Sequence, residues 1–315
     1  MTAILLLVCF LFGAAFTYPS PQPIIGLMIQ EDLHGSCKGQ YVFSAYKSFI
    51  EQGGGGVVPV FVNQSDSYYE QLIPRLNGVL LPGGDIKHVT RSPFGKAAVK
   101  IQKMAMTMND AGIHYPIWAT CQGFEDMTTW PSGRNQLSKC IGTDSVSLPV
   151  NFTPAAMNSK LYGSMPLSLV TMMREDNLTA NNHDLCLSSH TYNATKQMNQ
   201  FFTVLTTNVD SAGLEYVSSM ESKKYPFYGV QFHPEKANFF NVVGNRYNHS
   251  PGAILVSQYM SDFLVAEAKR NSNAFRSLSE EGRFLINNFQ SRFNSRAFIE
   301  TYCFTDEDIP PFDQL

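Results

Sequence analysis

Long hydrophobic runs are nearly absent from this 315-residue chain. Beyond its first residues, no apolar stretch reaches the roughly 20 positions that a membrane-spanning helix requires. Charge is sparse as well: 23 Lys and Arg against 26 Asp and Glu give a net charge of −3. That balance leaves no basic footprint for nucleic acid, and no basic amphipathic stretch offers itself to a membrane surface. Cysteine is scarce and irregular, six residues without a C-x-x-C pair, which indicates neither a zinc site nor a disulfide scaffold. No metal or cofactor is therefore expected. Gly53 to Gly56 lack the Lys-Ser/Thr that completes a phosphate loop and read as a flexible connection. No internal repeat or linker divides the chain, and 44% hydrophobic residues are ample for a buried core.

The one apolar run is N-terminal. Residues 4–12 followed by small residues predict a signal peptide over 1–17, although no Lys or Arg precedes the run. Secretory entry, to the lysosome or the extracellular space, is the expectation. Five sequons agree with it, at Asn63, Asn151, Asn177, Asn193 and Asn248. Loss of Cys9 with the leader leaves five cysteines, so at least one thiol stays unpaired. Cys121 is the choice; Cys37, Cys140, Cys186 and Cys303 are either paired or simply buried.

Short apolar runs alternate with helical patterns through the first half. Strands are expected over 24–29, 57–62, 78–81 and 116–120. Between them Val42, Ala45, Tyr46 and Phe49 form a helical stripe, a short helix covers 68–76, and a longer one 96–111. Later come a hairpin of 201–206 with 214–217 and a strand over 227–232. A last helix opens at Ser250-Pro251, with Ser as N-cap. This alternation predicts an α/β fold with a mainly parallel central sheet and helices on both faces. A single domain is expected over 18–305, then a frayed acidic tail over 306–315.

The chemistry concentrates at three strand ends, where sites in such sheets lie. Ala119-Thr120-Cys121-Gln122-Gly123 reads as a nucleophile elbow carrying a thiol. The helix that follows should favour the thiolate. His233 would serve as base, and Glu235, two residues on, would orient its imidazole. Gly83-Gly84 lets a backbone approach a ligand, so the N–H groups of Gly84 and Gln122 are the candidate oxyanion donors. A cysteine hydrolase follows, with the thiolate attacking a carbonyl to give a thioester.

These segments resemble a known family. Residues 81–85, 119–125 and 229–236 are similar to class I glutamine amidotransferase domains, and within that superfamily the chain most resembles the gamma-glutamyl hydrolase family. Asn151-Phe152-Thr153 and the Leu178-to-His183 segment carry the finer likeness. The resemblance implies a flavodoxin-like fold and cleavage of gamma-glutamyl bonds in folate and antifolate poly-gamma-glutamates, by an omega peptidase that forms a homodimer. It adds Tyr46, Glu125 and His183 as substrate-binding candidates. Two departures stand out: Ala119 replaces the family's usual glycine, and Asp184-Leu185 occupy positions where relatives carry a tryptophan. Two other readings compete. One is a glutaminase-type amidotransferase; the other is a secreted glycoprotein that binds gamma-glutamyl ligands without turnover.

Overall fold

Every residue of Ile24–Met28 (β1), Gly56–Val60 (β2), Gly78–Leu81 (β3) and Ile117–Thr120 (β4) is buried. Strands buried on both faces belong to a covered parallel sheet, and a computed structural model shows that sheet. It describes residues 22–312 except 33–34, 36, 87–89, 241–243 and 295–298; the expected signal peptide lies outside the described residues. Further strands are Asn151–Phe152 (β5), Phe202–Val209 (β6), Glu215–Ser222 (β7) and Phe227–Val230 (β8). The order across the sheet is β2-β1-β3-β4-β8-β7-β6-β5. The first five run parallel; β7, β6 and β5 continue antiparallel. Pro59 is tolerated because β2 is an edge strand.

Helix starts follow the expected capping chemistry. Ser92 caps Pro93–Asp110, accepting from the Gly95 N–H at 3.0 Å, and Ser250 caps Pro251–Ala268 in the same way. Both helices carry proline in their first turn, where its missing N–H costs nothing. The short helix over Asp66–Leu72 tightens into a 3-10 turn at Ile73–Arg75.

Three expectations change. Val42 does not belong to the helical stripe: it lies in the strand Gln40–Phe43, paired with Tyr302, and the helix starts at Ser44. Its partner is the C-terminal strand Ile299–Phe304, part of a second, four-stranded sheet that local patterning does not predict. The Pro251–Ala268 helix is not the last, since Leu278–Phe284 forms another. The acidic tail is docked rather than frayed over its described part: Thr305 and Asp308 close a capping box, and the Phe312 ring lies 5.0 Å from Phe284.

Because β3, β4 and β8 are adjacent and parallel, the segments leaving their carboxyl ends meet. Those segments carry Gly83-Gly84, Cys121 and His233.

Candidate active site

Cys121 sits between β4 and the helix Gln122–Thr129 at φ 49°, ψ −107°. That conformation is strained for a residue with a Cβ, by about 1–3 kcal/mol, and is one of the few positive φ values outside glycine. Its surroundings hold it there. The Cys121 N–H donates to the Val230 carbonyl at 2.8 Å, and the Gly123 N–H to the Pro82 carbonyl at 3.0 Å. A Cβ on Gly123 would stand 2.3 Å from the Leu81 carbonyl oxygen, so only glycine fits two places after Cys121. Ala119, two places before, is accommodated fully buried.

His233 and Glu235 are buried together, 5% and 2% exposed. The imidazole Nδ1 lies 2.7 Å from Glu235 Oε1. A carboxylate there makes Nδ1 the protonated nitrogen, so Nε2 is left with its lone pair free. Nε2 has no hydrogen-bond partner among the described residues. The Gly83 backbone marks where the groups converge: a Cβ built on it would be 2.7 Å from His233 Cε1, 3.0 Å from Cys121 Cβ and 2.6 Å from the Tyr46 hydroxyl. Gly84 is equally constrained, because a Cβ there would strike Gln30, whose Nε2 donates to the Gly83 carbonyl at 2.7 Å.

Tyr46 is placed by this geometry against His233 and Glu235. Its hydroxyl accepts from the Gly83 N–H at 2.7 Å and lies 3.3 Å from His233 Nδ1. It also hydrogen-bonds the Glu235 carboxylate. The fully buried phenol therefore braces the His233–Glu235 pair and the glycine turn. With the Gly83 N–H occupied, the Gly84 N–H stays unbonded among the described residues. The Gln122 N–H is directed at the Cys121 sulfur in the resting site.

The electrostatics correct one expectation. Burial pushes the Cys121 thiol well up, and the carboxylates of Glu125 and Glu235 add to this; Lys236 and the Gln122 N–H pull the other way without prevailing. Burial and Lys236 likewise lower His233, although Glu235 and the Asn182 carbonyl support its cation. Burial therefore disfavours an isolated thiolate and an isolated imidazolium alike, because a lone charge is penalised in so dry a place.

Two lobes open from this centre. The larger, about 660 Å³, is lined by Cys121, Gln122, Glu125, His183 and three aspartates, Asp85, Asp144 and Asp184. The smaller, about 210 Å³, is lined by aromatic residues with Glu235 and Lys236. Glu125 is pushed up to about 8 by burial, despite the Gln231 amide that donates to it at 3.1 Å. His183 is lowered to about 3 by burial and is a neutral wall residue, its Nδ1 donating to the Leu185 carbonyl at 2.9 Å. Sequence reasoning gave no role to Lys236 or Asn182. Lys236 is buried over the rings of Phe240 and Tyr247, with Nζ 3.2 Å from the Tyr247 hydroxyl. The Asn182 carbonyl lies 3.7 Å from the Cys121 sulfur. Their positions next to Glu235 and His183 in the motifs were the available signal. Among the described residues, no group of His, Cys, Asp or Glu is arranged to hold a metal, and no helix is long and apolar enough to cross a membrane.

Comparison with known proteins places this geometry. The family model for peptidase C26 matches residues 23–235. The chain belongs to the peptidase C26 family. It is 38% identical over 307 residues to a gamma-glutamyl hydrolase of Mus musculus, covering 95% of this chain and 96% of that one. The gamma-glutamyl hydrolase of Homo sapiens is 35% identical over 90% of each chain. Gamma-glutamyl hydrolase 1 of Arabidopsis thaliana is 29% identical over 90% of this chain and 83% of its own. A solved glutamine amidotransferase of Methylobacillus flagellatus aligns at 10% identity and TM-score 0.49, over 81% of this chain and 98% of that one.

The cysteines of this C26 peptidase resolve the open pairing. Cys37 bonds Cys303 across 266 residues and Cys140 bonds Cys186, so Cys121 is the free thiol among the described residues. Of the sequon asparagines, Asn63, Asn151, Asn177 and Asn193 are exposed. Asn248 differs: it is half-buried, its Nδ2 donating to the Asn177 carbonyl at 2.8 Å.

Proposed function

We propose that this peptidase hydrolyses gamma-glutamyl bonds in folate and antifolate poly-gamma-glutamates through a thioester on Cys121. The observation that carries the reading is the strained cysteine elbow beside a buried His233–Glu235 pair whose Nε2 is unpartnered. In the first step the sulfur attacks the gamma-carbonyl carbon as its proton passes to Nε2, and the Gly84 N–H meets the developing oxyanion. Collapse breaks the C–N bond, and His233 returns the proton to the leaving amine. Water then attacks the thioester with His233 again as base, releasing the acid and restoring the thiol.

The names of the relatives support the gamma-glutamyl class. Two disulfides fit an oxidising compartment, in keeping with secretory, lysosomal or extracellular residence. A homodimer belongs to the same reading, and sedimentation velocity checks it. The deciding experiment incubates the protein with a defined poly-gamma-glutamate and identifies the products and any Cys121-bound acyl group by mass. Intact polyglutamate alongside ammonia release from glutamine would replace this reading with a glutaminase.

A further inference from the structure

The larger lobe is acidic in a way that the proposed substrate makes consequential. Among the described residues that line it, four are carboxylic acids and none is Lys or Arg. Among the described residues, the only Lys or Arg lining either lobe is Lys236, buried in the smaller one and held by Tyr247 and Phe240. Only the larger lobe has room for several glutamyl units, at about 660 Å³ against 210 Å³. One fixed donor serves a substrate acceptor there. Gln122 is 2% exposed, its Oε1 accepts from the Ile86 N–H at 2.9 Å, and its Nε2 has no partner. Beyond that single amide a polyanionic tail meets exposed Asp144 and Asp184, neither paired with Lys or Arg among the described residues.

Asp184 cannot easily swing aside. Its carbonyl accepts from the Cys140 N–H at 2.8 Å, and the adjoining strand Leu185–Cys186 is tied to Ser138–Lys139 both by pairing and by the Cys140–Cys186 disulfide. Its charge reaches into the lobe as far as Glu125.

Resting on the hydrolase reading above, we infer that Asp144 and Asp184 are specificity-determining residues that favour short anionic tails over long ones. At low ionic strength the screening length is about 30 Å, so each added glutamyl unit brings one more carboxylate within reach of these two charges. Repulsion weakens binding rather than bond breaking, so it acts on KM. The expected effect is about a threefold fall in kcat/KM per added unit at low ionic strength.

The test measures kcat and KM on p-aminobenzoyl poly-gamma-glutamates from the di- to the hexaglutamate, at low and high salt. The wild type should show KM rising with length, and added salt should lower KM for the hexaglutamate. In Asp144→Asn/Asp184→Asn, which keeps the shapes, the hexa-to-di ratio of kcat/KM should approach one, whereas Asp184→Glu should retain the wild-type ratio. Cleavage independent of length or better with longer tails, or an unchanged ratio in the double variant, would overturn the inference and leave the hydrolase reading intact. Failure to cleave any chain would overturn both.

Discussion

Replacing Glu235 by Gln separates the charge of the His233–Glu235 pair from its shape. The two groups lie 2.7 Å apart at 5% and 2% exposure, so solvent screens their interaction little. At an effective dielectric of about 20, a carboxylate and an imidazolium centred about 4 Å apart attract by about 4 kcal/mol. A glutamine oxygen still accepts from Nδ1 and recovers about 1 kcal/mol of that as a neutral hydrogen bond. The net loss, about 3 kcal/mol, falls on the step in which His233 becomes cationic, which is about a hundredfold in kcat/KM. His233→Asn removes the base itself and should lose at least about ten-thousandfold. The pH–rate profile adds a signature. Burial and Lys236 already lower His233, and Glu235 is the chief opposing influence. Without its charge the imidazolium forms less readily, so both limbs of the profile should move to lower pH, with activity on the alkaline side lost sooner. The assay is kcat/KM against pH on a defined gamma-glutamyl substrate. A rate within about threefold of wild type with an unmoved profile would show that Glu235 orients nothing.

Cys121→Ala should abolish hydrolysis while leaving substrate binding by calorimetry nearly intact; residual turnover above about a hundredth of wild type would remove Cys121 from the nucleophile's role. Tyr46→Phe leaves the buried Gly83 N–H without its acceptor and removes one of the donors to Glu235, whose bond from His233 remains. It should reduce kcat by about tenfold with little change in KM, and a pure KM effect would return Tyr46 to substrate binding. Glu267 tests stability rather than chemistry. Burial alone would raise its carboxyl, but hydrogen bonds from His114, Tyr228 and Arg270 more than offset this and hold it at about 2 instead of the usual 4.5. A carboxyl depressed in the folded state stabilises above its unfolded value and loses that contribution as pH falls toward the folded one. Glu267→Gln should therefore cost about 3 kcal/mol in urea unfolding at neutral pH and nothing near pH 2, and an equal deficit at both would refute the linkage.

The parallel half of the sheet was legible because its signal is local. Runs such as Ile24–Met28 and Gly78–Leu81 are apolar throughout, and the capping residues Ser92 and Ser250 act within one helical turn. Cys121 was legible for the same reason, since an elbow needs small residues at fixed offsets and Gly123 has no room for a Cβ. Pairings across hundreds of residues were not. Ile299–Phe304 meets Gln40–Phe43, and Cys37 meets Cys303, only because chain closure brings them together, so Val42 looked helical from its neighbours alone. The site divides along the same line. Sequence named the thiol, the imidazole and the carboxylate by residue type and spacing. Only the folded protein determined that burial raises the thiol and lowers the imidazole, and that Tyr46 braces the pair. Desolvation and hydrogen-bond partners come from everything packed around a group, and most of those neighbours are remote in the chain.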